Sequence, residues 1–317
     1  MKSYKIAYIS DLHLHHKKPI NRNCDNFLKL QDVKFINIFK KIIHADVDKL
    51  LQGGDFFHSP IPAFDFFLRI LSVLLFFNKK QPSLFPISLV LGNHDLLGHN
   101  KTLIDNTAMG LLKTLNLIDT SDNIINCDGF DIIIKKLHYL DSFDDIQWPE
   151  SNPYCKTYKI LMIHSMAVPQ KISPLLNHGH TIIENMGIKR DVNLVLCSHF
   201  HKSFVLNLDS TVFVNPGVVM RRSIDEGNEI PKILYFTFTE DGISVSGEKI
   251  ADKADFQKKT INKFEFLNVS NDISVVSNDW RVFYNELKKT KKFDIDIFDM
   301  MDNILKEAVK DAGIEFN

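Results

Sequence analysis

Five short polar clusters, each at the C-terminal end of an apolar run, constrain this chain more than any other feature. They are Ile9-Ser10-Asp11-Leu12-His13, Gly53-Gly54-Asp55-Phe56-Phe57-His58, Gly92-Asn93-His94-Asp95, Ile163-His164-Ser165 and Ser198-His199-Phe200-His201. Together they gather carboxylates, one amide and several imidazoles, all hard or borderline metal ligands. Cys24, Cys127, Cys155 and Cys197 fall outside all five and show no C-x-x-C spacing, so they read as reduced thiols. Oxygen and imidazole donors without thiolate suit Mn²⁺, Fe²⁺, Zn²⁺ or Mg²⁺ better than a structural zinc–thiolate site.

The runs before the clusters read as buried strands, and longer periodic stretches alternate with them. Tyr4 to Ile9, Val47 to Gln52 and Pro86 to Leu91 are β-rich, whereas Phe27 to Ile43 and Phe64 to Phe77 carry apolar residues near helical spacing. Strand, cluster, helix, strand, cluster describes an open α/β sheet, which binds ligands beyond the carboxyl ends of its strands. Asn106 to Leu117 is expected to be helical. Ile124 to Asn126, Phe130 to Leu137, Lys159 to Ile163 and Asn193 to Cys197 are expected as further strands. Phe204 to Leu208, Thr211 to Val214 and Ile233 to Thr239 read as consecutive antiparallel strands. Parallel strands early and a meander late predict two sheets packed face to face, with helices outside. The fold expected is therefore α/β: a two-sheet β-sandwich flanked by helices over 1–250, with a short C-terminal helical appendage over 251–317. Within the appendage, Asp294 to Ala312 has the spacing of an amphipathic helix.

A formal net charge of −1 excludes a global field that would draw the protein to nucleic acid or to an anionic membrane, although bound cations add positive charge locally. The most apolar stretch, Phe64 to Phe77, is broken by Asp65, Arg69 and Ser72 and is too short to span a bilayer. Met1 leads directly into strand-like sequence without a signal peptide, so a soluble, cytoplasmic protein is expected.

The clusters supply what two divalent ions about 3.5–4 Å apart require, a bridging carboxylate with separate ligands on either side. Asp11 and His13, two residues apart in an extended segment, can share one ion. Asp55 is the natural bridge, and Asn93 offers a neutral amide oxygen that adds no negative charge where a phosphate must enter. His164, His199 and His201 complete the shells.

The order D-x-H, G-D-x-x-H, G-N-H-D, H and H-x-H resembles the calcineurin-like metallophosphoesterase superfamily over roughly residues 4 to 240. The second cluster, Gly54-Asp55-Phe56-Phe57-His58, resembles the DNA double-strand-break repair nucleases of SbcD type. It lacks the arginine usual in the superfamily's protein phosphatases, and the third cluster lacks their terminal Glu. The resemblance implies metal-dependent phosphodiester hydrolysis by a DNA exonuclease/endonuclease subunit in repair, recombination or replication. It places Asp11, His13, Asp55 and His201 on one ion and Asp55, Asn93, His164 and His199 on the other, with Mn²⁺ the expected metal. It makes His94 the histidine that stabilises the transition state and helps protonate the leaving oxygen. It makes His58 the residue that orients the scissile phosphate or DNA end. Beyond the ligands, Arg221, Arg222 and Lys202 are candidate phosphate contacts. The same resemblance implies a homodimer formed through helices after the second and third clusters. It also implies a coiled-coil SMC-type ATPase partner docked by the C-terminal segment, which is expected to bind that partner or to cap DNA.

Two other functions stay open on the residues alone. One is a small-molecule phosphodiesterase or phosphatase with the same di-metal site, and the other a scaffold subunit whose site only organises DNA ends. Ser198 stands where the superfamily commonly has glycine, and a local backbone adjustment is expected there. His15 and His16 read as solvated loop residues.

Overall fold

In a computed structural model, residues 3–250 are described apart from 20–25, 145, 151, 171–179, 189–190, 224–225 and 228. The C-terminal appendage and its amphipathic helix lie outside the described residues. The first half runs β1 (Tyr4–Ile9), α1 (Phe27–His44), β2 (Lys49–Gln52), α2 (Phe64–Lys80), β3 (Ile87–Leu89), α3 (Ala108–Thr114) and β4 (Ile118–Asp119). The second half runs β5 (Asn123–Asn126), β6 (Phe130–Leu137), β7 (Lys156–His164), β8 (Ala167–Val168), β9 (Thr181–Ile182), β10 (Leu194–Ser198), β11 (Phe204–Leu208), β12 (Thr211–Asn215), β13 (Lys232–Phe238) and β14 (Ile243–Lys249).

Two six-stranded mixed sheets result, in the orders β14-β13-β1-β2-β3-β4 and β11-β12-β10-β7-β6-β5. Alternation along single strands shows how they stack. Ile6 and Tyr8 of β1 join Tyr158, Ile160 and Met162 of β7 and Leu194 and Leu196 of β10 in one core between the sheets. The residues between them face the other way. Ala7 and Ile9 meet Phe35, Phe39, Phe67 and Leu74 of α1 and α2, whereas Leu161, Ile163, Val195 and Cys197 join Ile183 and Met186 in a third cluster. Both faces of the central strands are thus buried, which explains why they read as continuous apolar runs.

The late strands correct the expectation of a meander. β11 and β12 pair antiparallel in the second sheet, but β13 leaves them and pairs antiparallel with β1, Tyr4 opposite Phe238. Parallel pairing is not confined to the early strands either, because β12, β10, β7 and β6 are mutually parallel. Period-two burial fixes which face of a strand is covered but not which neighbour takes its hydrogen bonds. The helix expected over Asn106 to Leu117 is the shorter α3, preceded by a 3₁₀ segment, Lys101–Asn106. Thr107 marks its start by accepting the Gly110 N–H at 3.3 Å.

Each sheet carries its parallel strands to the same edge of the sandwich. β1, β2 and β3 end just before the first three clusters, β7 ends at His164, and β10 ends one residue before His199. Clusters far apart in the chain thereby become neighbours in space.

Candidate metal centre

The first two clusters zip together past the ends of their strands. The His13 N–H donates to the Asp55 carbonyl at 2.8 Å, and the Leu14 N–H to the Phe56 carbonyl at 3.0 Å. The turns are tight and left-handed, with φ of 49° at Asp11, 45° at His13, 52° at Asp55 and 75° at His199. Of the nine non-glycine residues with positive φ among the described residues, these four lie in the clusters, where the backbone takes a sparsely populated conformation to aim the side chains. Two glycines make the approach feasible. A Cβ on Gly54, at φ +96°, would lie 2.4 Å from His164 Nδ1, and one on Gly92 would lie 2.1 Å from Asp55 Oδ1.

Asp55 lies at the centre. Its Oδ1 accepts the His94 N–H at 2.9 Å, while Oδ2 is buried without a hydrogen-bond partner. That oxygen is 3.5 Å from His13 Nε2 and 3.5 Å from His164 Nε2. His13 Nε2 and His201 Nε2 face each other at 3.0 Å, and His201 Nε2 is 3.8 Å from Asp11 Oδ1. His164 Nε2 is 3.3 Å from Asn93 Oδ1. Asp11, His13, Asp55 and His201 form one group able to hold a cation, and Asp55, His164 and His199 form a second. Within each group the donor atoms lie within 4.8 Å of one another. A buried carboxylate oxygen without a hydrogen bond inside normal reach, flanked by imidazole nitrogens, suits a divalent cation. The residues present therefore fit two ions sharing Asp55.

The electrostatics follow from the same packing. Burial opposes a charge on Asp55, but the facing His164, His13 and His94 override it and hold the carboxyl well below the usual range. Burial also opposes a charge on His164, yet the carboxylates of Asp55 and Asp11 and the Gly53 carbonyl lift it to about 9. Burial drives His13 well below the ordinary imidazole value and His199 down to about 3, so both present lone pairs.

Several residues that hold this arrangement carry no ligand signal in the sequence. The buried Asp95 accepts the N–H groups of Asp55 at 2.8 Å, Phe56 at 3.0 Å and Gly92 at 2.9 Å, tying the second cluster to the third. The buried Glu226 takes a short hydrogen bond from His201 Nδ1 and accepts the Arg222 and Ser223 N–H groups at 2.5 and 3.0 Å. Burial would raise its pKa, but these donors lower it to about 2. Asn215 donates to the Phe200 carbonyl at 2.7 Å and so steadies the His199–His201 loop. Ser198 does more than adjust the backbone: its hydroxyl donates to the Ile163 carbonyl at 2.6 Å and sits 3.1 Å from His164 Nδ1, which also contacts the Gly53 carbonyl at 2.8 Å.

His58 and His94 stand beside the first group. The His94 ring stacks on His58 with centroids 4.7 Å apart, and His94 Nδ1 donates to the His58 carbonyl at 2.8 Å. Burial first, and then the Arg222 charge, bring His58 down to about 3. His15 is half-buried rather than solvated: its ring lies 5.0 Å from His58, and the buried Gln31 clamps its backbone through two 3.0 Å hydrogen bonds. His16 is also half-buried, its ring 4.4 Å from that of His15. Arg221 is buried, its guanidinium donating to the Gly227 carbonyl at 3.0 Å. Arg222 keeps Nη1 without a hydrogen-bond partner, its charge acts on His58, and Lys202 is half-buried next to His201 in the chain.

The family described as calcineurin-like phosphoesterase matches residues 4–203, which include every one of the clusters. The chain belongs to the calcineurin-like phosphoesterase family. Proteins named DNA double-strand break repair protein Mre11 resemble this phosphoesterase. The one from Methanosarcina mazei is 24% identical over 253 residues, covering 78% of this chain and 38% of its own length. The one from Archaeoglobus fulgidus is 23% identical over 257 residues, covering 75% of this chain and 55% of its own length. The phosphoesterase thus spans about half, or less, of these relatives. Two solved structures also match. One is an archaeal phosphodiesterase (TM-score 0.35, 17% identity, 77% of this chain and 99% of that one). The other is a dimetal phosphatase from Danio rerio (TM-score 0.48, 9% identity, 78% and 97%). No helix among the described residues is long and apolar enough to cross a membrane.

Proposed function

We propose that this phosphoesterase hydrolyses phosphodiesters in DNA, with Mn²⁺ as its working metal. The observation that carries the two-ion part is the buried, partnerless Asp55 Oδ2 equidistant from His13 and His164. Asp11, His13, Asp55 and His201 would hold one ion, and Asp55, Asn93, His164 and His199 the other. The chemistry such ions would supply when bound is polarisation of the phosphate and activation of a water. The chain's own groups do the rest. The His94 backbone holds Asp55 in place, and with Nδ1 donating to a carbonyl its Nε2 is the atom free to act on the phosphate or the leaving oxygen. His58, stacked on His94, orients the strand, and Arg222 and Lys202 supply positive charge along it.

The DNA substrate is supported by the G-D-x-x-H form of the second cluster and by the Mre11 relatives. On the same grounds we read the chain as a cytoplasmic homodimer working in repair, recombination or replication with an SMC-type ATPase. Residues 251–317 would form the appendage that docks this partner or caps DNA.

The test compares wild type and His58→Ala with Mn²⁺ on linear duplex DNA and on a generic aryl phosphodiester. DNA cleavage is expected to fall about 100-fold or more in the variant, within the range for a positioned acid or base, and aryl diester cleavage to fall much less. Equal losses would remove the reason for choosing DNA. Wild-type turnover of the aryl diester alone would favour a small-molecule phosphodiesterase, and retained DNA binding without turnover a scaffold.

A further inference from the structure

A cavity of about 190 Å³ opens directly beside His164 and His199, and His58 does not line it. The groups that shape it are Tyr139, Leu140, Phe143, Met166, His138 and Ser165. Nothing assigned so far uses it.

Its walls set aromatic and aliphatic side chains (Tyr139, Leu140, Phe143 and Met166) among polar groups that include His138, Asp141 and Ser165. The Tyr139 ring is held between histidines, its centroid 5.7 Å from His199 and 5.3 Å from His99. Its backbone N–H is pinned to the Leu91 carbonyl at 2.9 Å. His138 Nδ1 accepts the Leu91 N–H at 2.9 Å, which leaves the ring proton on Nε2 as a donor. Burial brings His138 down to about 4, so it is uncharged near neutral pH. Asp141 adds no free charge, because one oxygen pairs with Lys101 and the other accepts the His138 N–H at 2.8 Å. Leu140, also part of the lining, is left-handed with φ 67° and its side chain is 71% exposed. An exposed aliphatic residue in a strained backbone conformation, beside a candidate catalytic centre, is where a binding role is expected.

We infer that this cavity is a subsite for a flat, uncharged ring carried by the substrate, a nucleobase next to the phosphate held at the centre. This rests on the reading of that centre as a phosphodiester site. An aromatic ring and an exposed aliphatic side chain set among fixed polar groups match an unstacked base, which offers a π-face and hydrogen-bonding edges. Tyr139 and Leu140 then set how strongly the ring is preferred.

Calorimetric titration of the Mn²⁺-loaded full-length chain tests this without relying on turnover. The probes are inorganic phosphate, deoxyribose 5-phosphate and thymidine 5′-monophosphate. Thymidine monophosphate is expected to bind at least about tenfold more tightly than deoxyribose 5-phosphate, in line with the typical contribution of base–aromatic stacking. Tyr139→Ala and Leu140→Ser are each expected to shrink that ratio toward one, with phosphate affinity as the internal reference for an intact centre. Tighter binding of a 5′-phosphorylated tetranucleotide than of the monophosphate would assign the ring to a strand end, and equal binding to a free nucleotide; both support the subsite. Equal affinities for the sugar phosphate and the nucleotide, or a preference unchanged in both variants, would overturn it. Ring preference without DNA cleavage would leave the subsite standing and remove the nuclease reading instead.

Discussion

Glu226 shows how a residue outside the ligand set governs the site. Its carboxylate is buried, takes a hydrogen bond from His201 Nδ1, and is itself held by the Arg222 and Ser223 backbone. That bond fixes which nitrogen of His201 is free to face His13 and Asp11. Glu226→Gln keeps the shape but removes the negative charge. We expect metal affinity to fall about 10- to 100-fold, measured by competition against a chelator with a calibrated affinity. Unchanged affinity would show that His201 is oriented without it. Nothing local distinguishes this glutamate from Glu229 three residues later. It lies 25 positions from its partner, so only the tertiary structure reveals it.

Helices α1 and α2 illustrate a cost carried by packed elements. Both press apolar faces on the first sheet, and between them Asp32 Oδ2 lies 3.3 Å from Arg69 Nε while Asp32 Oδ1 is buried without a partner. Burial lifts the Asp32 carboxyl to about 6, although the Arg69 guanidinium works in the opposite direction. A folded pKa above the unfolded value means the native state holds the proton more tightly, so this group's contribution to stability falls as pH rises from about 4 through 6. The shift corresponds to about 2 to 3 kcal/mol once Asp32 is ionised. Asp32→Asn is expected to remove that slope. Urea denaturation of both proteins across this window checks it, and parallel pH profiles would refute the assignment. Both helices were legible from their apolar spacing. Their ion pair was not, because neither spacing nor composition says which faces of two helices meet.

For the whole molecule, the centre is a tie between the two sheets. Asp11, His13, Asp55 and Asn93 follow strands of the first, and His164, His199 and His201 follow strands of the second. Ions shared between them would cross-link the sandwich at one edge and relieve the partnerless Asp55 oxygen. Metal at about 100 times its Kd contributes about 2.7 kcal/mol to a state that alone binds it. Chelation is therefore expected to lower the Tm by several degrees as well as to stop hydrolysis, and Mn²⁺ to restore both. Differential scanning calorimetry reads the first effect, and an unchanged Tm would mean that the ions do not bridge the sheets.

The five clusters, the strands before them and the helices between were already determined by local sequence, because burial on both strand faces forces continuous apolar runs and polar residues then mark where each strand leaves the core. The departure of β13 to pair with β1, the half-burial of His15, the support from Asp95, Glu226, Asn215 and Ser198, and the cavity beside His199 were decided only in three dimensions. Each depends on which distant segments become neighbours, and hydrogen bonds and shape between such segments leave no period in the chain that makes them.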